Sequence, residues 1–406
     1  MSTRPDVTVL SVGTAWYSQT GGIDMLNQRF CTALARAGLQ VFCRVPPATH
    51  REIAEAERQG VVLVPAAPGP RDFSLARRPH LPDGVVPDLV IGHGRFTGLV
   101  ARGITEDYFP TARRLHFLHV SPDEIEWHKD RRGEDAGDRA ERRTALELDL
   151  AATADRAVAI GPVLHERYLT ELSAFDVPPP LLFVPGFDGG PAVRRTPPPG
   201  SPVRILLSGR TEDSSLKGLD LAARAVGLVA RRRGAGTTGL EFVVRGARPG
   251  TSAAVRSKLL RWAGYPGLNV VVRPYTSDGA RLTAAQRTAS LTLMPSRTEG
   301  FGLAGAEAIT AGTPVLVSST SGLGLLIREE LGADGARPFV VAMSGDDAED
   351  ADAWARAIEA VLDDRVAAFA RAHVLREHLA SRYSWDSAVA SLLGQLGVQQ
   401  PEEATP

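Results

Sequence analysis

The chain has 406 residues, 43% of them hydrophobic, and its 46 Lys and Arg residues nearly balance its 47 Asp and Glu residues. The length predicts two domains rather than one core, and the near-neutral charge gives no general attraction to nucleic acid. No apolar run approaches the ~18 residues of a membrane-spanning helix. The opening sequence MSTRPDVTVLSVG lacks the pattern of a signal peptide, and Cys31 and Cys43 are too few for a disulfide framework. We therefore expect a cytoplasmic protein.

The first predicted elements are a strand, a loop and a helix. Val7–Val12 reads as a buried strand, and the loop after it ends in Gly21 and Gly22. Apolar residues then recur at helical spacing until Gly38. Paired glycines at a helix start let the backbone approach a ligand closely. An ordinary strand-to-helix turn explains them as well, so both interpretations stay open.

Three histidines lie in or after the next strands. Asp88–Ile91 is a predicted strand followed by His93, and Arg114–Val120 is a predicted strand that contains His116 and His119. Residues three apart on a strand point to opposite faces, so His116 and His119 cannot chelate one metal ion. His93 and His119 lie where the strands end, which is where ligands of such sheets gather. His93 is a candidate for the acceptor side of a site, and a hydrogen-bonded loop histidine is the alternative.

A charged loop with the sequence SPDEIEWHKDRRGED follows. Long loops are usually functional, and we expect this one to line the acceptor side, with Asp123, Glu124 and His128 as candidates. Arginine pairs at 131–132 and 142–143 suit an anionic acceptor or a membrane surface, whereas a solvated face is the alternative.

The clearest change in composition is the proline- and glycine-rich sequence GFDGGPAVRRTPPPGSP. It predicts a semi-rigid linker at 188–200. We therefore expect a first domain over 1–187, a second over 201–383, and a disordered tail over 398–406.

The most informative sequence, LTLMPSRTEGFGLAGAEAITAGTPVLVSST, covers residues 291–320. It predicts a buried strand, a glycine turn, a helix from Leu303 to Ala311 and another strand, which is half of a Rossmann unit. The backbone N–H groups of Phe301, Gly302 and Leu303 lack intrahelical partners at the helix start. A phosphate or pyrophosphate is the natural ligand of such a start.

Two carboxylates frame this turn. Glu299 lies in the turn itself, and Glu307 lies about one and a half turns into the helix, at ~3.6 residues per turn. Carboxylates accept hydrogen bonds from hydroxyl groups such as those of ribose or a hexose. Backbone amides that bind phosphates, together with carboxylates that bind hydroxyl groups, predict a sugar-nucleotide site.

Two alternatives to this interpretation remain. Gly300, Gly302 and Gly305 match the spacing of the dinucleotide fingerprint, which also needs an acidic residue ~20 residues further on. The next strand ends in Ser-Ser-Thr at 318–320, without a carboxylate, which argues against NAD. The other alternative is a glycine turn beside a solvated glutamate.

Glu299 and Glu307, separated by seven residues with GFGL between them and followed by GTPV, resemble the signature of retaining family-4 glycosyltransferases of GT-B fold. Further motifs match in order over nearly the whole chain. The resemblance implies an α/β fold with two Rossmann-like domains that face each other across a cleft, an acceptor domain followed by a donor domain. It also implies a C-terminal helix over 384–397 that crosses back to the first domain. The central sequence and the DEIEWHK loop also resemble glycosyltransferase modules of bacterial conflict systems.

The resemblance assigns a diphosphate-binding element to the second domain. The family pattern G-R…K-G-x-D is matched by Gly209, Arg210, Lys217, Gly218 and Asp220. An arginine fork and a lysine charge both suit a diphosphate. Lysine is rare here, because only three of the 46 basic residues are lysines. The gap between Arg210 and Lys217 is about two residues longer than the family pattern, which puts the loop conformation in question.

Other roles also follow from the resemblance. His119 is implied to contact the donor sugar and to position the acceptor, and Gly21 and Gly22 are implied to approach the donor phosphates and the acceptor. Tyr275 is implied to lie at the edge of the nucleotide base. Gly300 belongs to the turn that would hold the diphosphate.

The predicted reaction is retaining, metal-independent transfer of a hexosyl group from a UDP- or GDP-linked sugar to an acceptor hydroxyl, without a cofactor. Arg210, Lys217 and the glycine turn would hold the leaving diphosphate. Glu307 would hold the ribose, and Glu299 would bind sugar hydroxyls and stabilise positive charge near the ring. The acidic pattern at 350–352, which resembles a metal-binding D-x-D, is interpreted as the start of a helix.

The expected partners are the nucleotide-sugar donor and a small-molecule, lipid-linked or protein acceptor. We expect no nucleic-acid partner, at most a peripheral membrane association, and a monomer or a homodimer. The alternatives for function are a non-catalytic nucleotide-sugar-binding protein, a GT-B epimerase of UDP-sugars, and a glycogen-synthase-like or phosphorylase activity.

Overall fold

Parallel strands form two sheets in the computed structural model of the chain, which describes residues 7–17, 22–69, 71–129, 134–189, 194–234 and 239–398. The chain divides into two compact units. The first unit contains Met1–Asp123, Glu141–Gly186 and Tyr383–Pro406, and the second contains Glu124–Ala140 and Phe187–Arg382. The sequence-based boundaries differ from this division in one internal segment, because 124–140 groups with the second unit.

Parts of two predicted segments lie outside the described residues. They are residues 190–193 of the predicted linker and residues 399–406 of the predicted tail. The arginine pair at 131–132 also lies outside them. Among the described residues, no helix combines the length and the apolar character needed to cross a membrane.

The sheet of the first unit contains seven strands: β1 (Thr8–Val12), β2 (Gln40–Val45), β3 (Val61–Pro65), β4 (Leu89–His93), β5 (Arg113–Leu118), β6 (Arg156–Ile160) and β7 (Leu181–Phe183). They pair in parallel in the order β3-β2-β1-β4-β5-β6-β7. Every residue of β1 and β4 is buried, because helices cover both faces of such a sheet. Strand β5 ends one residue before His119, so the strand predicted to reach Val120 is shorter than expected.

The sheet of the second unit contains six strands: β8 (Val203–Ser208), β9 (Leu240–Ala247), β10 (Asn269–Pro274), β11 (Leu291–Met294), β12 (Val315–Ser318) and β13 (Val340–Val341). They also pair in parallel, in the order β10-β9-β8-β11-β12-β13. This is the strand order of a Rossmann fold.

Fifteen helices are present in the described residues: α1 (Gly22–Arg36), α2 (His50–Arg58), α3 (Arg71–Ala76), α4 (Gly94–Tyr108), α5 (Pro122–Ile125), α6 (Ala136–Ala152), α7 (Pro162–Leu172), α8 (Leu219–Arg233), α9 (Ser252–Ala263), α10 (Gly279–Thr288), α11 (Leu303–Thr310), α12 (Gly322–Ala336), α13 (Asp347–Asp363), α14 (Arg365–Arg382) and α15 (Trp385–Gln395). A short 3₁₀ turn, Glu126–His128, follows α5. The last helix, α15, belongs to the first unit, where Trp385 packs against Phe183 of β7.

The D-x-D pattern lies in the first turns of α13. Asp346 caps this helix by accepting hydrogen bonds from two backbone N–H groups. Asp350 is buried and accepts from the backbone N–H groups of Ser344 (2.7 Å) and Gly345 (3.2 Å). Asp352 forms ion pairs with two arginines. Asp350 therefore joins α13 to the loop before it, and Asp352 pairs with Arg232 of α8 and Arg356 of α13.

The strand order reverses once in each sheet, between β1 and β4 in the first unit and between β8 and β11 in the second. In open parallel sheets, ligands bind beyond the carboxyl ends of the strands at such a reversal. The loops after these four strands are therefore the places where site residues are expected in each unit.

Candidate active site

The loops after β8 and β11 bring a lysine and a glutamate together in the second unit. Lys217 Nζ lies 2.5 Å from Glu299 Oε2, and Ser296 Oγ lies 3.2 Å from the same carboxylate oxygen. Both charged side chains are about four-fifths buried, with exposed fractions of 23% and 21%. The pair lies at the strand reversal, so a cation and a carboxylate stand ready at the place where a ligand would bind.

Close packing of the backbone sets this geometry. Gly218 has φ +63°, and a Cβ atom there would lie 2.0 Å from the carbonyl oxygen of Pro295. Only glycine therefore fits at this position, where the loop that carries Lys217 contacts the loop that carries Glu299. The structure thus gives Gly218, which the sequence matched to a family motif, a steric reason.

The turn from Gly300 to Leu303 leads into α11. Gly302 has φ +115° and precedes the first helical residue, Leu303. The start of α12 holds this turn in place, because Gly322 donates its backbone N–H to the carbonyl of Glu299 (3.1 Å) and Leu323 donates to that of Phe301 (2.6 Å).

The side chains of this turn divide between the core and the surface. Phe301 is buried, with its ring centroid 6.3 Å from that of Phe187. Glu307 is exposed on α11. The start of α11 carries the partial positive charge of a helix N-terminus, which favours a phosphate.

Arg297 is a residue of this site that the sequence analysis missed. Its Nη1 and Nη2 lie 2.9 and 2.8 Å from the two carboxylate oxygens of Asp220, and its Nη2 lies 2.7 Å from Asp347 Oδ1. Its Nη1 also donates to the backbone carbonyl of Ser215 (2.7 Å), two residues before Lys217. Arg297 therefore ties together the loops that carry Lys217 and Glu299.

Hydrogen bonds shift the pKa of Arg297 and the pKa of Asp347 in opposite directions. Hydrogen bonding to Asp220 raises the pKa of Arg297 above its ordinary value. Hydrogen bonds from Arg297 and Arg224 lower the pKa of Asp347. Asp220 is buried, and a buried acidic residue at the start of α8 needs a cationic partner. This burial is known only from the structure, so the sequence offered no signal for Arg297.

Arg210, Gly209 and Tyr275 lie around the carboxyl ends of β8, β9 and β10. Arg210 is half-exposed and pairs with Asp213 at 3.2 Å, within the same loop. The backbone N–H of Gly209 donates to the backbone carbonyl of Arg245 (3.0 Å), and the backbone N–H of Tyr275 donates to the backbone carbonyl of Ala247 (3.0 Å). Burial raises the pKa of the Tyr275 phenol above its ordinary value.

In the first unit, His93 and His119 contact each other. His93 Nδ1 lies 3.0 Å from His119 Nε2, and His93 Nε2 lies 3.0 Å from Asn27 Oδ1. Burial lowers the pKa of His93 well below its ordinary value, and burial lowers the pKa of His119 to about 3. Both rings are therefore neutral near pH 7. His116 faces elsewhere, 3.0 Å from the buried carboxylate of Glu147.

The structure separates the acceptor-side candidates Asp123 and Glu124. Asp123 accepts hydrogen bonds from Thr144 (2.9 Å) and Arg167 (3.1 Å) in the first unit. Glu124 accepts one from Thr298 (3.0 Å) in the second unit, next to Glu299. Of the two predicted glycines, Gly22 begins α1, and Gly21 lies outside the described residues.

Buried charges join the two described parts of the segment 124–140, which are residues 124–129 and 134–140. The carboxylate of Glu126 has no exposed surface and accepts from Lys129 Nζ (3.0 Å) and Arg139 Nε (3.2 Å). His128, in the same segment, has a pKa lowered by burial and by the charge of Arg297. Glu124 thus contacts the loop of Glu299 from a segment that is itself well anchored.

A model of family 4 glycosyltransferases in conflict systems matches residues 10–392 of the chain. The chain is 28% identical to the D-inositol 3-phosphate glycosyltransferase of Acidothermus cellulolyticus over 92% of its own length and 85% of the relative's. Among solved structures, sucrose-phosphate synthase from Thermosynechococcus elongatus has a TM-score of 0.67, with 18% identity and coverage of 96% of this chain and 98% of that one. Anabaena Alr3699/HepE, solved with UDP and glucose, has a TM-score of 0.65, with 14% identity and coverage of 96% and 99%.

Proposed function

This chain belongs to the family 4 glycosyltransferases of conflict systems, and we propose that it transfers a hexosyl group from a nucleotide sugar to an acceptor hydroxyl with retention at the anomeric carbon. It is a glycosyltransferase with two Rossmann-like domains, so the GT-B fold class predicted from the sequence is confirmed. The stereochemistry, the independence from metal and the nucleotide of the donor are the parts that we propose.

The single observation that carries the proposal is the contact between Lys217 and Glu299 at the strand reversal of the second unit. A lysine point charge suits a diphosphate oxygen, whereas a carboxylate suits sugar hydroxyls and a positively charged ring carbon. The two groups neutralise each other without a ligand. A nucleotide sugar would give each of them a partner of the right chemistry at once.

We propose that protein groups hold the charge that develops on the leaving diphosphate. Lys217, Arg210 and the backbone N–H groups at the start of α11 would supply the positive charge, and preorganised donors of this kind contribute most to such reactions. Glu307, exposed on α11, would bind the ribose. Gly209 and Gly300 would let the backbone approach the phosphates, and Tyr275 would contact the base.

The donor is proposed to be UDP-linked, since the structure of Anabaena Alr3699/HepE contains UDP, with a GDP-linked sugar as the second choice. His119, in the first unit, would contact the hexosyl group as a neutral ring. Glu124 would act on the acceptor side from its position beside Thr298. The acceptor class is a hydroxyl-bearing small molecule, lipid-linked sugar or protein. Cys31 and Cys43 are both buried and unpaired, which supports a reducing, cytoplasmic setting.

Thermal unfolding with a panel of UDP-, GDP-, ADP- and dTDP-sugars and with NAD, each with and without EDTA, tests the donor. A ligand at 100 times its Kd should stabilise the folded state by about 2.7 kcal/mol. We expect one nucleotide to raise Tm, and EDTA to leave that shift unchanged. A shift with NAD alone would contradict the sugar-nucleotide site, and a shift abolished by EDTA would contradict metal independence.

Lys217→Ala tests the diphosphate assignment. Turnover should fall by about 10²–10³-fold, as for loss of one donor that stabilises developing charge. Lys258→Ala is the matched control, because Lys258 Nζ lies over the ring of Trp262 at 5.3 Å and has no proposed role in the reaction. A folded Lys217→Ala protein with the turnover of the Lys258→Ala protein would overturn the assignment.

The same measurements separate the alternative functions. A non-catalytic nucleotide-sugar-binding protein would show the thermal shift without transfer to any acceptor. An epimerase would convert the donor to another UDP-sugar in the absence of acceptor. Formation of a glucan polymer or a requirement for phosphate would indicate a synthase or a phosphorylase.

A further inference from the structure

A row of hydrogen bonds crosses the carboxyl edge of the first sheet and ends at His119. Ser11 Oγ lies 2.6 Å from Asn27 Oδ1. The same amide oxygen lies 3.0 Å from His93 Nε2, and His93 Nδ1 lies 3.0 Å from His119 Nε2. Ser11 is on β1, His93 ends β4 and His119 follows β5, and these three strands are neighbours in the sheet. We call these four residues the histidine relay.

The amide oxygen of Asn27 fixes the direction of the protons in the histidine relay. A carbonyl oxygen only accepts hydrogen bonds, so His93 Nε2 must carry the hydrogen. In a neutral ring His93 Nδ1 is then an acceptor, and His119 Nε2 must donate to it. The second nitrogen of the neutral His119 ring, Nδ1, therefore carries a lone pair.

The surroundings of Asn27 keep its amide in one orientation. Ser11 donates to the oxygen, while Asn27 Nδ2 lies 3.5 Å from Cys43 Sγ. A Cβ atom at position 13 would lie 2.8 Å from Asn27 Nδ2, so glycine at this position leaves room for the Asn27 amide. Asn27 is 1% exposed in the interior of α1, a position where asparagine weakens a helix unless its side chain has a purpose.

Packing also fixes the planes of the two rings. The ring of Phe117 on β5 lies 5.0 Å from the ring of His93 and is stacked on the ring of His119 at 6.5 Å. Both imidazoles are thus held by an apolar neighbour and by each other. A flip of either ring would place a carbon where a nitrogen now lies and would break the hydrogen bonds of the histidine relay.

We propose that Asn27 and His93 are positioning residues, which hold His119 as the neutral Nε2–H tautomer so that its Nδ1 accepts a hydrogen bond from a hydroxyl of the donor's hexosyl group. The contact with the sugar rests on the proposed function, whereas the tautomer does not. A nitrogen lone pair accepts from a hydroxyl but repels the oxygen of a carboxylate. Where that hydroxyl is the one on C6, which a hexuronosyl group replaces with a carboxylate, the histidine relay selects a neutral hexosyl group over a hexuronosyl group.

The tautomer can be measured on the full chain without any ligand. In protein labelled with ¹⁵N-histidine, the chemical shifts and two-bond couplings identify each ring nitrogen as protonated or unprotonated. We expect His119 to have a protonated Nε2 and an unprotonated Nδ1 at neutral pH. The opposite assignment in the wild-type protein would overturn the proposal, whatever the behaviour of any variant.

Substitutions test whether Asn27 sets this tautomer. Asn27→Leu removes the acceptor and should give His119 a mixture of tautomers, whereas Asn27→Gln keeps a neutral acceptor oxygen and should retain the wild-type pattern. Leu34→Ala is the matched control, since Leu34 is equally buried on α1 and is not part of the histidine relay. A folded Asn27→Leu protein with an unchanged His119 spectrum would contradict the proposal.

Kinetics extend the test to the reaction, with UDP-glucose and UDP-glucuronate as the probes. Asn27→Leu should lower kcat with UDP-glucose about 10- to 100-fold, which is the range for loss of a group that orients a ligating histidine. The variant should also prefer UDP-glucose over UDP-glucuronate by a smaller factor than the wild-type protein does. An unchanged preference in that variant would contradict the selection of neutral sugars. Absence of any transfer by the wild-type protein would instead contradict the proposed function, and the spectra would still test the tautomer.

Discussion

Replacement of Arg297 by methionine should destabilise the second unit. Arg297 and Asp220 have exposed fractions of only 16% and 12%, and two hydrogen bonds of 2.9 and 2.8 Å join them. Removal of one partner from a buried pair costs about 3–5 kcal/mol. Because this pair is partly exposed, we expect the lower end, about 3 kcal/mol. The contact with Asp347, which is half-exposed, adds about 0–1 kcal/mol.

Calorimetric unfolding of the full chain measures this loss. One kcal/mol moves the Tm of a domain of 150–250 residues by about 2–4 °C, so Arg297→Met should lower the Tm of the second unit by about 6–12 °C. Arg224→Met is the matched control, because Arg224 pairs with the same Asp347 at 2.6 Å but is 35% exposed. It should cost about 0–1 kcal/mol. Equal Tm values for the two variants would refute the reasoning.

Two further predictions concern pH and the glycine turn. Since burial lowers the pKa of His93 and of His119, the unfolded chain binds more protons than the folded one at acidic pH. The stability of the first unit should therefore fall as pH drops from about 6.5 towards about 3, which the pH dependence of Tm measures. Gly302 has φ +115°, and the Cβ atom of Gly302→Ala would lie 2.6 Å from Met294 Cε. This strain should lower the free energy of unfolding by about 1–3 kcal/mol and weaken donor binding.

A specific measurement would contradict each of these two predictions. A Tm of the first unit that is the same at pH 6.5 and at about pH 4 would contradict the buried, neutral histidines. For the glycine, Gly279→Ala is the control, since a Cβ atom at this first residue of α10 would have nothing within 4 Å. It should be neutral or stabilising. Gly302→Ala would contradict the argument if it behaved in the same way.

The sequence was sufficient for features that depend on local periodicity. Apolar runs predicted the strands β1, β4 and β5, because a strand buried on both faces is largely apolar. The helix predicted to start at Leu303 and to stop at Gly312 corresponds to α11, which starts at Leu303 and ends at Thr310. The positive φ of Gly312 explains why a glycine stands just beyond it. By contrast, the site residues were assigned by family resemblance, and their roles in the reaction remain predictions.

What the sequence missed depends on contacts between distant residues. Strand β7 has three residues between prolines and pairs only with β6, so it is too short to show a pattern. Arg297 meets Asp220 across 77 positions and Asp347 across 50, and periodicity carries no sign of such pairing. The sequence analysis assigned no role to Asn27, which is buried and lies within hydrogen-bond distance of Ser11 and His93.

The placement of residues 124–140 affects how this protein can be cut or recombined. The chain passes from one unit to the other after 123, 140, 186 and 382, rather than once at the proline-rich linker. A fragment that starts at the linker would lack the segment whose Glu124 contacts Thr298. An exchange of the second unit between relatives at the linker would join this segment to a foreign loop. The second unit is discontinuous in sequence, so chimaeras should carry 124–140 together with 187–382.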